Sequence, residues 1–120
     1  MKWLAVFVGG GLGSLVRFAL GSLLSPITGF FPWATLAANA LAAMIIAWLF
    51  ATNVKEGNEW LWQLAAVGFC GGLSTFSTFS METVQLMRSG QTLMALTYVM
   101  LSLLLSVALF YFIAQWFQRI

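Results

Sequence analysis

Apolar residues run along this chain in four long blocks, separated by short stretches where turn-forming and charged residues gather. A helix needs about 20 mainly apolar residues to cross the hydrocarbon core of a bilayer. The blocks meet that length and predict four spans: Trp3 to Leu24, Trp33 to Thr52, Trp60 to Met87 and Leu93 to Phe117. The connectors carry the residues that punctuate helices. Ser25 to Pro32 holds Pro26, Gly29 and Pro32, Asn53 to Glu59 holds Asn53 and Gly57, and Arg88 to Thr92 holds Gly90. Pro32 suits the first turn of the second helix, where a missing N–H costs nothing. The expected fold is all-α and integral to a membrane: one transmembrane domain over residues 1–120, with no soluble part. Lys2 followed by an apolar run imitates a signal peptide. The run is too long for one, holds Arg17, and is followed by three more spans.

Composition sharpens the class. Of 120 residues, 62% are hydrophobic and 7% charged, with a mean hydropathy of +0.96. A soluble domain carries about 25% charged residues. The chain has no Asp and no His, so the usual general bases and metal ligands are missing, and most hydrolytic and metal chemistry with them. Five basic residues against three Glu give a formal charge of +2, too small and scattered for a nucleic-acid partner. One cysteine, Cys70, permits no disulfide within the chain.

Charge also bears on orientation. Lys2, Lys55 and Arg119 fall on one side of a four-span chain and Arg88 on the other, with Arg17 in the half of its helix nearer that second side. Orientation normally follows a clear Lys/Arg excess on the cytoplasmic side. Three against two is almost no excess. A weak bias that still fixes one orientation fits the tally, and so does insertion both ways round, with two copies paired antiparallel.

In lipid, every polar group needs a partner, and intramembrane polar residues mark pathways or interfaces. The third span carries most of them, from Gly68 to Ser80: Gly-Phe-Cys-Gly-Gly-Leu-Ser-Thr-Phe-Ser-Thr-Phe-Ser. Paired glycines followed by hydroxyl residues in mid-span predict a broken helix. Its freed carbonyls would suit a cation, and its freed N–H groups and hydroxyls an anion. A continuous helix with close-packed glycines and back-bonded hydroxyls is the alternative, and the density of polar groups favours the break. Phe76 and Phe79 share a helix face, and two phenyl edges, weakly positive, would offer an anion a dry surface. Ordinary packing is the alternative, since 11 Phe occur in the chain.

In the second span, Thr35 and Asn39 are four apart. The Asn39 amide suits a pore or a bond between helices equally well. In the fourth, Tyr98, Ser102 and Ser106 place three hydroxyls in one stripe. In the first, Gly9, Gly13, Arg17 and Gly21 recur every four residues along one face, and small residues there allow close helix contact. Arg17 reads as a vestibule charge that attracts anions, or as a side chain snorkelling to the interface. Glu82, near the end of the third span, has similar alternatives. The mid-membrane groups are mostly donors, and the first, second and fourth spans hold no acid. A cation pathway or proton relay would want carboxylates, so a small anion fits better.

Taken together, these residues resemble the Fluc (CrcB) family of small fluoride channels, over most of the chain. The most specific part is Gly68-Phe69-Cys70-Gly71-Gly72-Leu73-Ser74-Thr75-Phe76-Ser77-Thr78-Phe79, close to the family's G-F-C-G-G-[LF]-T-T-F-S-T-F signature with Ser74 for Thr. Gly9 to Phe18 (GGGLGSLVRF) and Thr35-Leu36-Ala37-Ala38-Asn39 support it. Ala42 and Ala34 stand where the family often has Gly. The resemblance implies an antiparallel, dual-topology homodimer in the bacterial inner membrane, passing fluoride passively out of the cytoplasm and so giving resistance to it. It implies two pathways per dimer, built from Asn39, Phe76 and Phe79, with Thr35 near a pore mouth and Ser77, Thr78, Tyr98, Ser102 and Ser106 along the track. It also implies a structural sodium ion at the dimer axis, held by the backbone carbonyls of Gly71 and Ser74. No organic cofactor and no enzymatic activity are expected. Two rivals stand beside this reading. Small proton-coupled multidrug exporters depend on a Glu in the first span, where this chain has only Arg17 as a charge. A helper subunit that merely packs helices is the other.

Overall fold

The computed structural model describes residues 1–28 and 31–118. Gly29, expected in the first turn, and Arg119, counted in the charge tally, lie outside the described residues. Among the described residues the regular structure is all helical, with no strand. Helix α1 is Lys2–Thr28 and α2 is Trp33–Ala51. Two single turns follow, α3 (Val54–Gly57) and α4 (Glu59–Trp62). A π-helical stretch, Gln63–Cys70, leads into α5 (Gly71–Leu73). Then come α6 (Phe76–Arg88) and α7 (Thr92–Gln118). Four segments are long and apolar enough to cross a bilayer: Lys2–Leu24, Trp33–Ala51, Glu59–Arg88 and Thr92–Gln118. The protein is a multi-pass membrane protein.

Several boundaries differ from the sequence expectation. α1 runs past Leu24 to Thr28. Pro32 stands just before α2 rather than in its first turn, and its carbonyl accepts the Leu36 N–H at 3.2 Å. The Asn53 to Glu59 connector is itself mostly helical. Asn53 takes the left-handed conformation (φ 54°), which a short polar side chain tolerates. The Asn58 side chain then caps α4 by accepting the Leu61 N–H at 3.0 Å. Gly90 (φ 80°) ends α6, with Gly90 N–H donating to Met87 and Gln91 N–H to Leu86, the paired bonds that close a helix at a glycine.

Glycine decides how the first and third spans meet. A Cβ on Gly9 would run into the Leu64 carbonyl, and one on Gly13 into the Phe69 carbonyl. From the other side, a Cβ on Gly68 would lie 2.8 Å from the Val6 carbonyl oxygen, and one on Gly72 would strike the Gly10 carbonyl. The two helices therefore touch backbone to backbone, the contact that small residues permit in lipid. Gly21, the last glycine of the α1 stripe, meets nothing, so the tight contact does not extend to it. The π winding of Gln63–Cys70 lies inside this contact. The spans run parallel, since the Lys2 ammonium and the Glu59 carboxylate pair at 2.6 Å at their common end. Exposed on both sides, that pair is worth about 0–1 kcal/mol.

Small residues also fill the centre, with Ala38, Ala42, Cys70 and Leu73 in one cluster and Leu36, Leu86, Ala95 and Tyr98 in another. α7 packs against α2 and α6 on the side away from α1. Large apolar side chains such as Phe7, Leu15, Leu96 and Leu104 point outward, as a lipid-facing surface requires.

Candidate functional site

The site forms around a local interruption midway along the third span. α5 stops at Leu73 and α6 starts at Phe76. Between them Ser74 (φ −76°, ψ 154°) and Thr75 (φ −151°, ψ 124°) are extended. Side chains hold the interruption from within. The Ser74 hydroxyl donates to the Cys70 carbonyl at 2.8 Å, the same carbonyl that takes the Ser74 N–H at 2.9 Å. The Thr75 hydroxyl caps α6 by accepting the Thr78 N–H at 3.1 Å, and lies 3.3 Å from the Ser77 hydroxyl.

Two residues from neighbouring helices hold it from outside. The Asn39 side chain accepts the Thr75 N–H at 2.7 Å and donates to the Thr75 carbonyl at 3.3 Å. Arg17 donates through Nε to the Gly72 carbonyl at 2.9 Å. A helix end leaves carbonyls and N–H groups without intrahelical partners, and these bonds answer two of them, the Thr75 N–H and the Gly72 carbonyl.

A groove of about 440 Å³ opens beside the interruption. Asn39, Gly71, Ser74, Thr75, Phe76, Phe79, Ser102 and Ser106 line it, with Ala42, Cys70 and Val107 among the apolar lining. The Phe76 and Phe79 rings are neighbours, centroids 5.8 Å apart and planes tilted by 36°. Phe79 also packs on Tyr98 at 5.0 Å. Phe76 is 78% exposed. The Ser102 hydroxyl is buried, with no hydrogen-bond partner among the described residues.

A second, wider hollow of about 720 Å³ lies toward the Arg88 end. It gathers Arg17, Thr35, Thr78 and Glu82. The Thr35 hydroxyl donates to Glu82 Oε1 at 2.5 Å, tying α2 to α6. Tyr98 stands between the two hollows, fully buried, its ring edge-on to Phe31 and packed on Phe79.

The residues singled out in the sequence thus divide. Asn39, Phe76, Phe79, Ser102 and Ser106 meet at the groove, together with the backbone of Gly71 and Ser74. Arg17, Thr35, Thr78 and Glu82 meet at the wide hollow. Tyr98 links the two, and Ser77 is exposed and lines neither. Sequence reasoning missed Thr75, whose backbone and hydroxyl organise the interruption. Its signal was there, since a Thr directly before a helical segment is a favoured N-cap. It also missed the Gly72 carbonyl, a main-chain acceptor that no residue type announces. No group of three or more His, Cys, Asp or Glu gathers among the described residues.

A model of the family described as CrcB-like protein, Camphor Resistance (CrcB), matches residues 4–114. The chain belongs to the CrcB family. The match includes every residue that lines the groove and the wide hollow. Curated relatives extend it. A protein of Serratia proteamaculans named fluoride-specific ion channel FluC is 42% identical over 102 residues, covering 83% of this chain and 80% of the relative. Proteins of the same name from Pyrococcus abyssi and Klebsiella pneumoniae are 40% and 46% identical. Each alignment covers 88% of this chain, and 87% and 84% of the respective relative.

Proposed function

We propose that this CrcB-family chain is a fluoride-selective passive channel that carries fluoride out of the bacterial cytoplasm across the inner membrane. One observation carries the reading. Asn39, Phe76, Phe79, Ser102 and Ser106 converge on one groove at the interruption of the third span. Fluoride is small and holds its water tightly, so a selective pore must replace that shell with compact donors. The buried Ser102 hydroxyl has a proton to give and no protein partner. The Asn39 amide has a second N–H beyond the one given to Thr75. Phenyl edges add weak positive potential without holding the ion too firmly. Serial weak sites allow exit as well as entry. The Arg17 charge at the wide hollow would draw anions toward the groove.

The working unit in this proposal is an antiparallel, dual-topology homodimer with the third helix broken at mid-membrane. The near-even charge tally supports it, and so does Phe76, whose exposed ring a second copy would cover. The carbonyls of Gly71 and Ser74 fit a sodium ion by their chemistry. Their usual helical donors are engaged elsewhere, the Thr75 N–H by Asn39 and the Thr78 N–H by the Thr75 hydroxyl. Such oxygens are hard ligands for a hard cation. Gly71 faces open space, with no atom within 4 Å of where a Cβ would be. Two carbonyls per chain make half a shell, which the second copy would complete. Sodium, when bound, would supply fixed positive charge at the interface.

The test is growth. In bacteria stripped of their own fluoride exporters, expression of this chain should restore growth in acidic medium containing fluoride. Sensitivity that persists although the protein is inserted in the inner membrane would refute the export role.

A further inference from the structure

Gly9, Gly13 and Arg17 follow one another at four-residue intervals on α1. The two glycines lie backbone against backbone on the third span. That close approach brings the next residue of the stripe over Gly72, where Arg17 Nε donates to the carbonyl at 2.9 Å. Gly72 sits at the end of α5, so its carbonyl has no helical donor to return to: the N–H four residues on belongs to Phe76, which begins the next helix. An arginine presents its N–H groups in a rigid fork. One prong holds the carbonyl while the guanidinium also lines the wide hollow.

We infer that Arg17 is a positioning residue, a clamp on Gly72 that fixes the backbone from Gly71 to Thr75 along the groove. Attraction of anions into the hollow is a separate role and needs only the charge. The clamp needs the Nε–H in place. Only the flux readouts below rest on the channel reading; the exchange readouts do not.

Arg17→Lys separates the two roles, because it keeps the charge and loses the fork. The clamp predicts that amide hydrogen exchange at Ser74 and Thr75 speeds up by about tenfold or more, the scale of one lost hydrogen bond to a charged group. It predicts a maximal fluoride flux lowered by a similar factor. The fluoride concentration for half-maximal flux, and its dependence on ionic strength, should stay as in the wild type. Unchanged exchange at Ser74 and Thr75 would overturn the clamp. So would a defect confined to the half-maximal concentration, which is the mark of lost attraction. Should Arg17→Lys fail to assemble, the wild type still decides the matter by nitrogen NMR in nanodiscs. A slowly exchanging Arg17 Nε–H supports the clamp, and exchange at the rate of a free guanidinium refutes it. If the wild type passes no fluoride while exchange at the interruption still responds to Arg17→Lys, the channel reading falls and the clamp stands.

Discussion

The side chain of Asn39 binds both backbone groups of Thr75, taking its N–H at 2.7 Å and giving to its carbonyl at 3.3 Å. One amide from α2 thus replaces what the helical ladder of the third span would have supplied. Removing it leaves the Thr75 N–H bare, at about 1–3 kcal/mol for a buried group. Asn39→Ala should therefore lower the stability of the purified protein by about 1–3 kcal/mol and speed amide exchange at Thr75. Fluoride flux should be lost along with it. Unchanged exchange at Thr75 would show that the bond does not hold the interruption.

Ser102 offers a variant in which stability and transport part company. Its hydroxyl is buried and unpartnered, so removing it relieves a desolvation cost. Ser102→Ala should leave stability unchanged or raise it by up to about 1 kcal/mol. If the groove is the pathway, the same variant should slow fluoride flux. A parallel thermal-unfolding and flux measurement reads both. A drop in both together would mark Ser102 as packing.

Gly72 and Gly11 make a matched pair for the contact between the first and third spans. A Cβ on Gly72 would strike the Gly10 carbonyl, whereas one on Gly11 meets nothing. Gly72→Ala should destabilise the protein by about 1–3 kcal/mol, the usual cost of overpacking. Gly11→Ala should be neutral, or stabilising by up to about 1 kcal/mol from helix propensity. Equal effects in thermal unfolding would contradict the backbone contact.

Phe76 tests the aromatic pair. Its ring is exposed in the single chain and, among the described residues, its ring neighbour is Phe79. Phe76→Ile should leave the fold of the chain intact and reduce fluoride flux by about tenfold or more, equivalent to a barrier raised by about 1.4 kcal/mol. Normal assembly with undiminished flux would remove Phe76 from the pathway.

Sodium should support association. Replacing it by a large organic cation such as N-methylglucamine should shift the protein toward monomer, read by the mass of the detergent-solubilised particle. Identical association in both salts would count against the site at Gly71 and Ser74.

The four spans were legible because bilayer thickness fixes a length that apolar blocks either meet or miss. The close contact of Gly9 and Gly13 was legible too, since a run of small residues in lipid has few other uses. Helical spacing put Phe76 with Phe79 and Ser102 with Ser106, while joining them to Asn39 in one pathway rested on the family resemblance. What escaped the sequence lay in the main chain. Gln63–Cys70 is an ordinary apolar run whose π winding no residue type signals. The acceptors of Arg17 and Asn39 are the backbone of Gly72 and Thr75, invisible until the helices are placed. Arg17 was open between vestibule and interface, and its side chain both lines the wide hollow and bonds the third span. Asn39 was open between pore and interhelical bond, and its side chain both makes that bond and lines the groove.

The most direct test of the account is ion loss from liposomes holding the purified protein, followed with fluoride and chloride electrodes in parallel and with no proton gradient imposed. Rapid fluoride loss with chloride retained is the predicted result. Equal loss of both ions, or no fluoride loss from correctly assembled protein, would contradict it.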